Sequence, residues 1–205
     1  MKIIFVGPQG SGKGTQAKII SEKLHIPHIS IGDLMRGAKG ELKSELDFYM
    51  NSGKLVPDEL VVKILKERIK EEDCKNGFIL DGFPRNLNQT KLLEKITMVD
   101  RVVEITLSDE EAIKRISGRL TCANCKASYN EFTAPIPKEK GICDLCKGIL
   151  IKRADDNPEA VKKRLEIYHK ETEPILKEYY KILIKVNGNS EIDKITNEIL
   201  EKLGY

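Results

Sequence analysis

The chain has 205 residues, 40% hydrophobic and 33% charged, with a net charge of +3 from 35 basic and 32 acidic side chains. A chain of this length buries about 70% of its unfolded surface and folds without staples, which excludes a collagen-like, mucin-like or mostly disordered protein. The longest run free of Asp, Glu, Lys and Arg is Ile3–Gly12, well short of the roughly 20 residues of a membrane span, and so mild a charge demands no nucleic-acid partner.

In chain order, Lys2–Val6 is a β-branched apolar run and reads as a buried strand. It is too short for a signal-peptide core and lacks a small-residue cleavage site, so the expectation is a cytoplasmic protein. A glycine-rich loop, Gly7 to Gly14, leads into a helix over Thr15–Leu24; strand, loop and helix form the βα unit of a parallel sheet. Ser30–Val56 reads as a polar helical insert. Pro57–Lys70 has Pro in its first turn, then acids, with basic residues at its end, as a helix dipole prefers. Further strands are expected at Phe78–Leu80, Val102–Leu107 and Ile182–Val186. Ser108 opens one helix, Asn157-Pro158-Glu159 opens a long one that Pro174 should kink or break, and Asp193–Leu203 closes the chain.

Gly7-Pro8-Gln9-Gly10-Ser11-Gly12-Lys13-Gly14-Thr15 is a phosphate-binding loop. Its glycines let backbone N–H groups turn inward around a polyphosphate, the helix N-terminus adds partial positive charge, and Lys13 brings a mobile cation. The hydroxyl of the generic signature arrives one residue late, at Thr15, because Gly14 follows the lysine. A GTPase would need a switch-type Asp-x-x-Gly and a guanine-reading Asn-Lys-x-Asp, and neither is present. The strand-end Asp81 is followed by Gly82, so no water-activating base stands where a motor-type ATPase places one.

Cys122, Cys125, Cys143 and Cys146 form C-x2-C-x17-C-x2-C. In a reducing compartment that spacing argues for a structural, four-thiolate metal site, zinc first and iron as the alternative, rather than for disulfides. The segment from Gly118 to about Asp156 around them reads as an inserted small module. Cys74 and the three histidines, His25, His28 and His169, read as structural.

Asp81-Gly82-Phe83-Pro84-Arg85 with Gln89 resembles the signature of the adenylate kinase family, and so does the loop form with Gly14 after the lysine. Ile29–Arg36 and Gly53–Asp58 resemble its two AMP-site segments, and Arg153-Ala154-Asp155-Asp156 and Lys163-Arg164-Leu165 resemble its late arginine motifs. The resemblance implies an α/β fold: a P-loop three-layer α/β/α core with a parallel five-stranded sheet over 1–29, 57–117 and 156–205. It also implies a helical monophosphate-binding clamp over 30–56 and a small zinc-ribbon-like lid over 118–155. The activity it implies is reversible, Mg2+-dependent, in-line transfer of a phosphoryl group from ATP to AMP, giving two ADP, by a monomer with no nucleic-acid or membrane partner. The alternatives are a UMP/CMP or other monophosphate kinase and, from another class, a zinc-ribbon nucleic-acid module.

Carried over residue by residue, the resemblance places Gly10, Ser11, Gly12, Lys13, Gly14, Thr15, Arg119, Ser128, Tyr129 and Ser190 on ATP. It places Ile31, Arg36, Lys54, Leu55, Val56, Gly82, Phe83, Pro84, Arg85 and Gln89 on AMP, with Arg153 and Arg164 bridging the transferring phosphoryl. Lys13, Arg85, Arg119, Arg153 and Arg164 are the catalytic cations, and Asp33 and Asp81 hold Mg2+ through its water. Five of the eight arginines thus fall on motif positions, where planar forks suit phosphate oxygens. Ile31 departs from the family pattern, which usually has Thr there, as does Gln9 where Pro is common, and the clamp looks short over Gly37–Glu45.

Overall fold

The computed structural model describes residues 1–52 and 54–205. Gly53, expected to begin the second AMP-like segment, lies outside them. Five strands form a parallel sheet in the order β2-β3-β1-β4-β8: β1 (Lys2–Val6), β2 (His28–Ser30), β3 (Phe78–Asp81), β4 (Arg101–Thr106) and β8 (Leu183–Asn187). The period of two along β1 explains the layers. Ile4 and Val6 join one apolar cluster, with Leu65, Leu80 and Leu176, while Ile3 and Phe5 join the cluster on the other face. That second face is covered by α1 (Lys13–Leu24) and α8 (Ile192–Leu203), through Ala17, Ile20, Ile195 and Ile199. The first is covered by α4 (Asp58–Arg68) and α5 (Leu87–Glu94).

Two excursions leave this core, one after a strand and one after a helix. After β2 come α2 (Ile31–Arg36) and α3 (Glu41–Asn51). Ser30 still pairs with Asp81 in the sheet, and its hydroxyl caps α2 by accepting from the Asp33 N–H at 3.3 Å, so the chain turns away at Ile31. After α6 (Asp109–Ser117) comes a three-stranded antiparallel sheet of order β6-β5-β7, from β5 (Arg119–Cys122), β6 (Ser128–Asn130) and β7 (Leu150–Ile151). Then α7 (Pro158–Ile167) returns to the core, with Asn157 accepting from the Ala160 N–H at 2.8 Å.

The regular α-helix ends at Ile167, ahead of Pro174, in line with the expected kink or break, but the chain does not leave the core. The helix loosens into a π turn, Tyr168–Thr172, and tightens into a 3₁₀ turn, Glu173–Lys177, keeping Ile175 and Leu176 in the core. In the core, β2, α5 and the 3₁₀ turn Glu72–Cys74 escaped sequence-based expectation, as did the individual strands β5, β6 and β7 of the small module. No helix among the described residues is long and apolar enough to cross a membrane.

Candidate active site

The phosphate loop runs from the end of β1 into α1, with Gly7, Gly10 and Gly12 at positive φ. A Cβ on Gly7 would press on the Ile105 carbonyl at 2.5 Å, so the loop can pass the end of β4 only as glycine. Two buried polar atoms here, Ser11 Oγ and Gln9 Oε1, have no partner within the protein, which fits a loop shaped around a polar ligand. The displaced hydroxyl of the loop has a local cause. A Cβ on Gly14 would stand 3.1 Å from Asp81 Oδ2, so glycine lets the carboxylate at the end of β3 approach the first turn of α1.

Asp81 also faces His28 Nε2 at 3.5 Å. Burial opposes its charge, but His28 and Lys13 outweigh that and hold the carboxyl below its ordinary range. Lys13 donates to the Pro8 carbonyl at 3.2 Å. Burial, with Arg85, Arg119 and Arg153 nearby, pushes its ammonium down to about 8 in spite of Asp81.

The expected arginines converge from four directions. Arg85 follows β3 and donates through Nε to the Gly82 carbonyl at 2.8 Å. Arg119 opens β5 and grips Asp156 with Nε, at 2.8 Å, and Nη2. Arg153 follows β7 and donates to Thr121 Oγ1 at 2.9 Å. Arg164, on α7, reaches the Met50 carbonyl and Asp155 Oδ2, both at 3.2 Å. Arg36 binds Asp33 Oδ1 at 2.6 Å and Asp155 Oδ2 at 3.4 Å. Burial and mutual repulsion depress Arg85 and Arg164 and bring Arg153 down to about 10. Asp155 and Asp156 supply the internal counter-charge, so the centre is built for an additional anion.

Two adjoining clefts meet at this centre, and Arg85, Arg164, Gly82, Leu55 and Gln9 line both. The first adds Ile31, Lys54, Val56 and Gln89, and the second adds Lys13 and Gly7. Ile31 is 1% exposed and packs in the core, giving apolar contact where a hydroxyl is usual. Phe83 is fully buried and joins Pro84 by a cis peptide. Lys54 lies over the Phe48 ring, 5.4 Å from its centroid. Ser190 donates its N–H to Asn187 O at 3.4 Å, beside Gly188, whose carbonyl accepts from Arg115 at 2.9 Å. Ser128 is exposed, whereas the Tyr129 side chain is 6% exposed and turned into the small sheet, which leaves only its backbone for outside contacts.

Two of these neighbours were not singled out from sequence: Arg115, and Thr172, whose hydroxyl donates to the Arg85 carbonyl at 2.7 Å. His28 was read only as structural, and Asp58 only as the end of the second AMP-like segment, with no partner named for either.

The four cysteines lie together, their Sγ atoms all within 4.8 Å of one another. Two like turns produce this. In each, the first cysteine carbonyl accepts from the lysine N–H four residues on, Lys126 or Lys147, and both lysines hold positive φ. Burial would raise the Cys143 thiol, but the N–H groups of Cys146 and Leu145 and the Tyr129 hydroxyl outweigh it and bring it to about 6. A donor set of four converging sulfurs, one already poised as thiolate, fits a tetrahedral metal and leaves no position for substrate.

The family model described as adenylate kinase matches residues 5–184. The adenylate kinase of Ruminiclostridium cellulolyticum is 48% identical, covering all of both chains. That of Caldicellulosiruptor bescii is 45% identical over all of this chain and 99% of its own, and that of Archaeoglobus fulgidus 47% over 99% of each.

Proposed function

Because the chain belongs to the adenylate kinase family, and so carries out the reversible reaction ATP + AMP ⇌ 2 ADP, we propose that its two adjoining clefts hold the two nucleotides with their phosphates at the shared arginines. One observation carries this: Arg85 and Arg164 line both clefts, beside Lys13, within a cluster of cations that depress one another. ATP takes the phosphate loop, with Gly10–Thr15 and Lys13 around its phosphates, Arg119 above them, and the backbone of Ser128, Tyr129 and Ser190 at its base. AMP takes the cleft that Gln89 lines, its phosphate on Arg36 and Arg85 and its base between Ile31, Val56 and Gln89. Residues 30–56 act as the clamp over AMP and 118–155 as the lid over ATP, hinged on the core of the remaining segments.

Phosphoryl transfer asks for alignment and charge neutralisation. Lys13, Arg153 and Arg164 face the charge that spreads over the transferring group, while Arg85 and Arg119 hold acceptor and donor in line. Closing lid and clamp excludes water, which would otherwise compete as acceptor. Adenylate kinases use Mg2+ with ATP, and here Asp81 and Asp33 would hold it through its water, neutralising phosphate charge. The four lid thiolates are proposed to hold structural Zn2+. All these groups come from one chain, which supports a monomer as the working unit.

Diphosphate formation from ATP-Mg and AMP, CMP, UMP or GMP in turn tests the substrate. AMP is expected to exceed the others in kcat/KM by about 100-fold or more; preference for another monophosphate would overturn the assignment of the cleft that Gln89 lines. A second expectation follows from Gly14. Gly14→Ala improves helix propensity by about 1 kcal/mol, so Tm should hold or rise, yet its Cβ displaces Asp81 and kcat/KM should fall about tenfold. Thermal melts and initial rates on one preparation check the split; a lowered Tm with unchanged rate would contradict it.

A further inference from the structure

Gln89 is 2% exposed, and both ends of its amide are already engaged. Its Oε1 accepts from the Arg85 backbone N–H at 2.7 Å, and its Nε2 donates to Asp58 Oδ1 at 2.7 Å. Chemistry fixes this orientation. A backbone N–H can only donate and a carboxylate can only accept, so a flipped amide would set oxygen against oxygen and N–H against N–H. Asp58 is itself held, accepting from Asn86 Nδ2 at 3.2 Å and Asn88 Nδ2 at 2.5 Å. Asn86 in turn caps α5 by accepting from the Gln89 N–H at 2.7 Å, closing a ring around the side chain.

A primary amide has two N–H hydrogens and two oxygen lone pairs. With one of each taken, one N–H and one lone pair remain for the cleft that Gln89 lines. Adenine presents an acceptor at N1 and a donor at N6, and matches that order. Hypoxanthine and guanine present N1–H and O6, the reverse, and match only a flipped amide.

Resting on the assignment of Gln89 to the AMP base given above, we propose that Asp58 is a specificity-determining positioning residue. It acts through Gln89, locking the amide in the one orientation that accepts a 6-amino purine and rejects a 6-oxo purine. It touches no substrate. An asparagine at 58 offers both a donor and an acceptor, so it accommodates either orientation of Gln89 and leaves the Arg85 N–H alone to oppose a flip, which weakens the lock at nearly constant shape.

The test compares kcat/KM for AMP and IMP, which differ only on this edge, in the intact enzyme, Asp58→Asn, Gln89→Ala and the double variant. Asp58→Asn is expected to cut the AMP/IMP ratio by tenfold or more, mainly through KM, by lowering AMP and raising IMP. In the Gln89→Ala background the same substitution should leave the ratio unchanged, because no amide remains to be oriented. Gln89→Ala leaving the ratio intact would show that Gln89 does not read the base, and the cleft assignment would fail. Gln89→Ala lowering the ratio while Asp58→Asn lowers both substrates equally would overturn the role of Asp58 alone. Should Asp58→Asn not fold, Asp58→Ser makes the same comparison, and failure of both to fold would make Asp58 a stability residue and overturn the proposal.

Discussion

Lys13→Met is expected to lower kcat by about 10³-fold, the usual scale for removing one preorganised charge from a developing anion, while raising Tm slightly. The two effects have one origin. The ammonium is buried with Arg85, Arg119 and Arg153 near it, and burial is the larger cause of its fall to about 8. A lysine whose folded pKa lies below its unfolded value of about 10.4 opposes folding while it stays charged. That cost is full below about pH 8 and fades as pH rises toward the unfolded value, so at neutral pH methionine removes a penalty. The same shift sets the pH dependence of ATP binding. Polyphosphate favours the charged lysine and so raises its pKa in the complex; binding therefore takes up a proton above about pH 8. ATP affinity should weaken about tenfold from pH 7 to pH 9 in the intact enzyme and change much less in Lys13→Met. Calorimetry in buffers of different ionisation enthalpy reads the proton directly. A slope that survives in the variant would move its origin to another group.

The parts of this site that were legible in sequence are those whose physics is local. The phosphate loop, the caps at Ser108 and Asn157 and the alternation along Lys2–Val6 need only neighbours within a few residues. β2 was not legible, because three residues, His28–Ser30, carry no period that separates strand from loop. Its evidence lies in pairing with β3, some fifty residues on. Pro174 was legible only in part. A local rule gives a kink or break, and the α-helix does end ahead of it, but Thr172 anchors to Arg85, and Ile175 and Leu176 bury in the core, so the backbone continues in π and 3₁₀ turns.

The arginines were legible as motif members but their resting partners were not. Arg36 meets Asp155 across 119 positions of sequence, and nothing in either local stretch names the other. Gln89 shows the limit most clearly. Sequence offers an amide able to donate and accept; which half does which is decided by Asp58, 31 residues earlier.

Stripping the proposed metal from the small sheet is the other large expectation. β5, β6 and β7 are four, three and two residues long, and the buried cluster beneath them is Cys122, Ala127, Tyr129, Cys143 and Leu150. Two of those five are thiol donors, so the core is in large part the metal site itself. Structural zinc contributes about 10 kcal/mol or more in small domains of this kind, far above what so few apolar side chains supply. Chelation should therefore unfold residues 119–151 locally while the parallel sheet persists. Amide exchange would show protection lost in β5–β7 and kept in β1, β3 and β4. Activity should fall about 100-fold or more, because Arg119 opens β5 and Arg153 stands two residues beyond β7. Cys143→Ser should reproduce the loss without chelator. It removes the sulfur that the Tyr129 hydroxyl and two backbone N–H groups already favour as thiolate. Arg119 and Arg153 are both carried by the small sheet, although Arg119 also grips Asp156, whereas Arg36, Arg85 and Gln89 lie outside it, so AMP should still bind when the metal is gone. AMP binding lost together with protection of β5–β7 would mean instead that Asp155, at the end of the lid, orders lid and clamp as one unit through Arg36 and through Arg164, which reaches the Met50 carbonyl.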